Sequence, residues 1–353
     1  MSPRVSVVMS VYNGERHLQE AIDSILHQTF EDFEFLVIDD GSTDNTATIV
    51  ASYSDPRIRF VLNWDNVGLA ASLNRGIQVA RGEYIARMDA DDVSLPERLE
   101  RQIDFMDAHP EVGVCGSWIE NFGDVRSTIW KVPAEHERIV AELLFGDCIA
   151  HPSVLLRKSC LEGADSKYNP AMREAQDYDL WVRLSREGMR FANLREVLVR
   201  RRLHHRQVMK MHRSALRAAS TRIRHLQLQH LGLAPSNEEM EMHEELSELR
   251  SHNDRITVEA LRKWLDTVLE ANRSTRFYDQ MVLVEVLTSR FRRKAALLAI
   301  GYGKSCCPGR LRDVLRTMVR VDKGWFLWLC YRLLIEPGRR ASRMGRWSRA
   351  SAD

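Results

Sequence analysis

The stretch Glu83-Tyr84-Ile85-Ala86-Arg87-Met88-Asp89-Ala90-Asp91-Asp92 joins a short apolar run to three carboxylates within four residues. The run up to Met88 has the composition of a strand, and Ser94-Leu95-Pro96-Glu97 then starts a helix with proline near its first turn. The carboxylates are therefore expected at the C-terminal end of a strand, where open α/β sheets bind their ligands. Hard oxygen ligands favour Mg²⁺ or Mn²⁺, so the stretch predicts a divalent cation site. The alternative is an acidic surface turn that also caps the helix.

Strand-like and helix-like segments alternate on the N-terminal side of this stretch. Strands are predicted at Val5–Val11, Phe33–Ile38, Ile58–Leu62 and Glu83–Met88, with helices at Leu18–Leu26, from the Asp39–Asp44 turn to Ser54, and at Leu69–Ala80. The short connections have the length that βαβ units require. This pattern predicts an α/β fold with a mostly parallel sheet flanked by helices on both faces.

The alternation continues more loosely beyond this stretch and then stops. The predicted elements are helices at 95–108, 135–145 and 177–186 and strands at 112–118, 153–156 and 197–199. After Arg206 the periodicity is helical throughout, at 209–230, 238–249, 258–269 and 277–299. Since 353 residues exceed the usual size of one core, we predict an α/β domain over residues 1–210 and an α-helical C-terminal region over 211–353.

The end of the chain differs from the rest in charge and apolar content. Residues 303–353 carry twelve Lys or Arg against four Asp or Glu, and Trp325–Ile335 is the most apolar run of the sequence. A basic segment with aromatic residues is typical of a helix that lies on an anionic membrane surface, so we predict peripheral membrane contact through residues 320–350. The alternative is a core helix of the C-terminal region. No nucleic-acid partner is predicted.

The six cysteines have no metal-binding spacing, and the first residues lack the pattern of a signal peptide. No run reaches the ~18 apolar residues of a membrane-spanning helix. We therefore expect free thiols and a cytoplasmic location, with the basic tail at the inner face of the cell membrane.

Three polar turns follow three of the predicted strands. They are Ser10–Asn13, Asp39–Ser42 and Asp89–Asp92, and in a parallel sheet they are expected to converge. The sequence has no Gly-x-Gly-x-x-Gly after the first strand and no Gly-x-x-x-x-Gly-Lys-Ser/Thr, which disfavours dehydrogenases and P-loop enzymes. A nucleotide bound at these turns would need a cation to neutralise its phosphates.

The order and spacing of several segments resemble the family 2 glycosyltransferases of the GT-A fold. The segments are Val5–Asn13, Val37–Asp44, Asn66-Val67-Gly68, Arg81–Tyr84, Asp89-Ala90-Asp91, His151-Pro152-Ser153 and Gln176–Trp181. The resemblance covers residues 3–210. It implies transfer of a sugar, with inversion, from a nucleotide-sugar, most often a UDP-sugar, to a hydroxyl of a glycan or lipid-linked glycan.

The resemblance also implies roles for individual residues. Ser10, Tyr12 and Asp40 would line the base and ribose pocket, and Asp89 would face the ribose or sugar of the donor. Asp91 would bind the divalent cation, Mn²⁺ or Mg²⁺, that bridges the diphosphate. His204, in His204-His205-Arg206-Gln207, would contact the diphosphate or the cation, and His151 would border the acceptor site.

An inverting displacement needs a base to accept the proton of the acceptor hydroxyl, and the resemblance assigns this role to Asp177. The residue is predicted near a helix N-terminus, where the helix dipole keeps a carboxylate ionised but limits its basicity. Many relatives have Glu before this Asp, whereas this chain has Gln176, so Asp179 is a second candidate. The alternative for Asp177 is a helix N-cap.

Two other functions are alternatives to glycosyl transfer. A nucleotidyltransferase would normally have a Gly-rich phosphate loop after the first strand, and Tyr12-Asn13-Gly14-Glu15 is not one. A non-catalytic nucleotide-sugar-binding assembly subunit would bind the nucleotide without turning it over.

Overall fold

The computed structural model of the chain describes residues 2–163, 166–204, 213–248 and 256–304. Its strands are β1 (Val5–Val11), β2 (Phe33–Asp39), β3 (Ile58–Leu62), β4 (Tyr84–Asp89), β5 (Val93–Ser94), β6 (Val112–Gly123), β7 (Thr128–Trp130), β8 (Leu155–Arg157) and β9 (Arg190–Leu203). Its helices are α1 (Leu18–Leu26), α2 (Thr46–Ala51), α3 (Leu69–Val79), α4 (Arg98–Ala108), α5 (His136–Leu143), α6 (Gln176–Arg186), α7 (Arg213–His230), α8 (Asn237–Ser247), α9 (Val258–Thr275) and α10 (Gln280–Lys304).

In the described part of the chain, nine strands form one sheet in the order β3-β2-β1-β4-β8-β6-β9-β5, with β7 paired to β6. The first four strands are parallel, and β6 and β9 are parallel to each other. Strand β8 lies antiparallel between β4 and β6. The predicted α/β fold is confirmed, with a mixed sheet in which the parallel part comes first.

Helices cover both faces of the parallel part. On one face, Leu18 of α1 and Leu99 of α4 belong to the same buried core as Tyr84 and Met88 of β4. On the other face α3 approaches closely, because a Cβ added at Gly76 would lie 2.5 Å from Val8 Cγ1. Side chains alternate along a strand, so Arg87 and Asp89 lie on the face of β4 opposite the Tyr84 core.

Strand β9 is much longer than the predicted 197–199 segment because its arginines are accommodated by neighbouring strands. Arg200 and Arg202 both lie 4.4 Å from the ring centroid of Phe122, and Arg201 lies 5.3 Å from that of Trp130. Two of the arginines also form ion pairs, Arg200 with Glu120 at 3.0 Å and Arg202 with Glu20. Cation–π contacts of this kind let a charged run form part of a sheet.

The described chain divides into two compact units. The first takes in residues up to Ala234 together with Ser274–Leu283, and the second takes in Pro235–Arg273 and residues from Val284 onward. The predicted domain boundary at residue 210 falls between described ranges and stays a prediction. The predicted membrane contact through residues 320–350 lies outside the described residues and also stays a prediction. No helix among the described residues is long and apolar enough to cross a membrane.

Gly82 is required by a close approach between the turn after α3 and strand β1. A Cβ at this position would lie 2.5 Å from the Ser6 backbone nitrogen and 2.7 Å from the Val5 carbonyl carbon, while the Gly82 N–H donates to Ser6 Oγ at 2.9 Å. We expect Gly82→Ala to lower the free energy of unfolding by about 1–3 kcal/mol, because backbone in a central strand cannot move aside. Urea denaturation measures this. Gly146→Ala is the matched control, since a Cβ there meets no atom within 4 Å, and an equal loss in both variants would contradict the explanation.

Candidate active site

The carboxyl ends of β2, β1 and β4 lie side by side, as the sequence predicted. Ser10 of β1 is in register with Ile38 of β2 and with Asp89 of β4. The turns beyond the strands also hold each other: the Asn13 N–H donates to Ser42 Oγ at 2.9 Å. Tyr12 is 51% exposed beside these bonds. Ser10, Tyr12 and Asp89 are therefore brought to one edge of the sheet.

Asp40 is 2% exposed, and hydrogen bonds from the protein engage both of its carboxylate oxygens. Oδ1 accepts from Asn63 Nδ2, the Val67 N–H and Ser72 Oγ at 2.9, 3.0 and 2.8 Å, and Oδ2 accepts from the Gly68 N–H at 2.9 Å. The carboxylate thus ties the end of β2 to the loop before α3. This contact fixes the backbone that borders the predicted base pocket.

Asp39, which the sequence analysis did not single out, is also buried at the end of β2. Its Oδ1 accepts the Ser42 N–H at 2.9 Å, whereas Oδ2 is buried without a hydrogen-bond partner in the described part of the chain. Buried polar atoms normally have a partner, so this oxygen is suited to accept a hydrogen bond from a ligand. Its position directly before Asp40 was the available sequence signal.

Asp89, Asp91 and Asp92 form a compact acidic cluster after β4, with one carboxylate oxygen from each lying within 4.8 Å of the others. His204 Nε2 lies 3.2 Å from Asp91 Oδ2, and the Arg202 N–H donates to Asp92 Oδ1 at 2.8 Å. Asp92 Oδ2 is buried and has no hydrogen-bond partner among the described residues. The end of β9 therefore covers the cluster and brings His204 to Asp91.

The electrostatics of the cluster suit a cation. Burial raises the pKa of Asp91, and the charge of Asp89 adds to the increase. The pKa of Asp92 is raised well above its ordinary value, mainly by burial and further by the charges of Asp89 and Asp91. A divalent cation would relieve this repulsion, and carboxylate oxygens are the ligands that Mg²⁺ and Mn²⁺ prefer. The residues present fit such an ion.

Asp177 lies in the first turn of α6, beside His151. The His151 Nδ1 is 3.9 Å from Asp177 Oδ2, and its Nε2 is 2.7 Å from the hydroxyl of Tyr168. Burial and the charge of Arg87 hold the pKa of His151 well below its ordinary value, so the ring is neutral. Where Tyr168 donates to Nε2, the proton of the neutral ring is on Nδ1, the nitrogen nearer to Asp177.

Asp177 is not the N-cap of α6, because that position is occupied by Ala175 in a left-handed conformation with φ of 57°. Burial raises the pKa of Asp177 even though the Tyr178 N–H and Arg87 act to lower it. The helix terminus acts to lower this pKa, as expected, but desolvation of the carboxylate outweighs it. Asp179, the second candidate, is instead paired with Arg183 of the same helix at 2.8 Å.

Two arginines that the sequence analysis left out connect the acidic cluster to Asp177. Arg87 is 4% exposed and forms an ion pair with Asp89, and its charge also acts on Asp177. Burial lowers the pKa of Arg201, and carboxylates of both groups, including Asp92 and Asp177, act to raise it. The cluster and Asp177 are thus parts of one charged site.

A further carboxylate, Asp147, belongs to this site and was missed by the sequence analysis. Its Oδ1 accepts the Ile149 N–H at 3.0 Å. Burial raises the pKa of Asp147 well above its ordinary value, and the charge of Asp177 adds to this effect. Asp147 and Tyr168 come from irregular segments, where no strand or helix period could have revealed them.

The sequence matches the family described as "Glycosyl transferase family 2" over residues 6–162. The putative glycosyltransferase EpsE of Bacillus subtilis (strain 168) is 40% identical over 206 residues, which are 56% of this chain and 72% of the relative. An uncharacterized glycosyltransferase of Haemophilus influenzae is 36% identical over 214 residues, 57% of this chain and 66% of the relative. The O-antigen biosynthesis glycosyltransferase WbnJ of Escherichia coli is 32% identical over 214 residues, 58% of this chain and 82% of the relative.

Two solved structures have a similar fold across nearly the whole chain. S. aureus TarS 1-349 in complex with UDP-GlcNAc gives a TM-score of 0.54 at 17% identity, covering 91% of this chain and 93% of that one. The mannosyltransferase PcManGT from Pyrobaculum calidifontis, in complex with GDP-Man and Mn²⁺, gives 0.50 at 18% identity, covering 95% and 88%. At sequence identities this low, the similarity to these two structures shows a shared fold.

Proposed function

We propose, since the chain belongs to glycosyltransferase family 2, that it transfers a sugar from a nucleotide-sugar to an acceptor hydroxyl with inversion and with help from a divalent cation. The observation that carries the proposal is that Arg87, which forms an ion pair with Asp89, and Arg201 both lie within electrostatic reach of two groups of carboxylates. One group, Asp89 to Asp92, suits a cation and a diphosphate, and the other contains a base, Asp177. A sugar transferred between them is attacked on the side opposite its leaving group.

The donor side of the proposed reaction uses the ends of β1, β2 and β4. Ser10, Tyr12 and Asp40 would border the base and ribose, and the unpartnered Oδ2 of Asp39 supports an additional hydrogen bond from the base. Asp89 would face the ribose or the sugar. Asp91, with His204 beside it, would hold a divalent cation, which as a Lewis acid supplies charge stabilisation for the departing nucleoside diphosphate.

On the acceptor side, Asp177 would remove the proton from the acceptor hydroxyl as the oxygen attacks the anomeric carbon. The bond from that carbon to the diphosphate breaks, and the configuration inverts. His151 is buried and neutral beside Asp177, which suits it to orient the acceptor without competing for the proton. The raised pKa of Asp177 makes it a stronger base than an exposed aspartate.

The proposed acceptor is a glycan or a lipid-linked glycan in the synthesis of a surface polysaccharide. The relative named for O-antigen biosynthesis supports this class of product. The basic, aromatic end of the sequence supports action at the cytoplasmic face of a membrane, where a lipid-linked acceptor would be available.

A panel of UDP- and GDP-sugars, scored for release of the nucleoside diphosphate with and without Mn²⁺, tests the proposal. We expect cation-dependent turnover of at least one donor. A protein that binds a nucleotide-sugar but never turns it over, with or without added acceptors, would favour the non-catalytic assembly subunit. Formation of a nucleoside triphosphate and a sugar 1-phosphate when pyrophosphate is added to the same donors would favour a nucleotidyltransferase.

The pH dependence of turnover provides a second measurement. A base must be ionised, so kcat should fall as the pH is lowered through the pKa of Asp177. Because burial raises that pKa, the loss should begin well above the ordinary aspartate value of about 4. Steady-state assays at saturating donor and cation separate this titration from that of the acidic cluster. A kcat that stays constant down to the ordinary value would contradict the role of Asp177.

A further inference from the structure

Arg87 has unmet hydrogen-bonding capacity at the centre of the site. The residue is 4% exposed, and one guanidinium nitrogen, Nη2, forms the ion pair with Asp89. The other two nitrogens, Nε and Nη1, are buried and have no hydrogen-bond partner in the described residues. Leaving buried N–H groups of a charged side chain without acceptors costs folding free energy, so such groups are rare in folded proteins and call for an explanation.

The position of Arg87 is fixed by the backbone on both sides. Its N–H donates to the Val154 carbonyl at 3.0 Å, and its carbonyl accepts from Arg98 Nη2 at 2.7 Å. Because residues two apart on a strand share a face, Arg87 is on the same side of β4 as Asp89. The side chain is therefore held next to Asp89, the first residue of the acidic cluster, from a position two residues earlier on β4.

The groups around the guanidinium belong to both halves of the proposed reaction. Burial acts to lower the pKa of Arg87, but Asp89 and Tyr168 raise it above its ordinary value. The same positive charge acts on Asp177 and on His151. Arg87 thus lies within electrostatic reach of the cluster that suits the diphosphate and of the residues that suit the acceptor.

The part of a nucleotide-sugar that must lie between a diphosphate and the attacking acceptor is the sugar itself. Sugar hydroxyl and ring oxygens accept hydrogen bonds, and a guanidinium offers donors in a fixed planar arrangement. Building on the proposed function, we propose that Arg87 binds the transferred sugar, with Nε and Nη1 donating hydrogen bonds to its oxygens. Arg87 is then a specificity residue for the sugar and not for the nucleotide.

Calorimetric titration of the full chain with matched ligands tests this assignment. The probes are UDP with UDP-N-acetylglucosamine and GDP with GDP-mannose, each in the presence of Mn²⁺. For Arg87→Gln we expect affinity for the nucleotide-sugar to fall by about 10–100-fold, the effect of losing hydrogen bonds from a charged donor, with affinity for the nucleoside diphosphate within about twofold of wild type. Arg101→Gln, a change at a half-exposed arginine of α4, is the control and should alter neither affinity.

Arg87→Lys separates sugar binding from simple charge balance and serves if Arg87→Gln fails to fold. Lysine keeps a positive charge beside Asp89 but lacks the planar set of donors, so we expect the same selective loss. Wild-type affinities in the lysine variant would overturn the proposal. Equal losses for nucleotide-sugar and nucleoside diphosphate would also overturn it, by assigning Arg87 to the diphosphate. Failure of the wild type to bind any UDP- or GDP-sugar of the donor panel is a different result, because it would count against the proposed function itself.

Discussion

Replacing Asp177 by Asn should lower kcat for sugar transfer by about 10²–10⁴-fold, the contribution of a positioned general base. The same change should leave the fold intact or make it more stable near neutral pH. Burial raises the pKa of Asp177, which means that the folded protein disfavours its ionised form, and asparagine removes that charge. Steady-state kinetics and thermal unfolding measure the two effects.

Asp179→Asn is the matched control for this substitution, since it makes the same chemical change two residues further along α6. Asp179 accepts from Arg183 Nε at 2.9 Å, so its loss should lower stability while kcat stays close to wild type. Asp177→Asn is thus expected to lower activity without loss of stability, and Asp179→Asn to lower stability without loss of activity. If Asp179→Asn were the inactive variant and Asp177→Asn the active one, the base would be misassigned.

Replacing Asp91 by Asn should lower kcat/KM by about 10³-fold, since a Lewis-acid cation supplies several kcal/mol of charge stabilisation. In the absence of cation the variant should unfold at a higher temperature than wild type. The pKa of Asp91 is raised by burial and by Asp89, so its ionised form costs folding free energy near neutral pH. Addition of Mn²⁺ should stabilise the wild type and have little effect on the variant.

Asp104→Asn, at an exposed position of α4, is the control and should change neither turnover nor the response to Mn²⁺. A wild-type protein whose unfolding temperature does not respond to Mn²⁺ or Mg²⁺ would contradict the cation site. So would an Asp91→Asn variant that keeps full cation-dependent turnover.

The centre of the parallel part of the sheet could be predicted because β1, β2 and β4 are buried on both faces. Phe33 to Asp39 is buried at every position, and such strands appear in the sequence as continuous apolar runs between polar turns. The convergence of those turns followed from topology alone. The juxtaposition of His204 and Asp91, 113 positions apart in the sequence, followed only from the family resemblance.

Other parts of the site carry no signal in the local sequence. Arg190–Leu203 contains too many charges to be recognised as one strand, since its arginines depend on Phe122, Trp130 and Glu120 from other segments. The four protein donors to Asp40 come from residues 63–72, and their convergence is tertiary. Arg87 did carry a local signal, because two residues before Asp89 on a predicted strand it shares a face with that residue, but no role was predicted for it.

Strand β8, which is antiparallel to both of its neighbours, separates an earlier stretch of the chain from a later one. The strand ends that suit the nucleotide all precede it, and Asp177 follows it. Changes in sequence after β8 can therefore alter which hydroxyl is accepted while the ends of β1, β2 and β4 stay the same, provided that the end of β9 keeps His204 beside Asp91. Differences in product among such proteins would then arise from changes in the later stretch, and the earlier stretch would be shared.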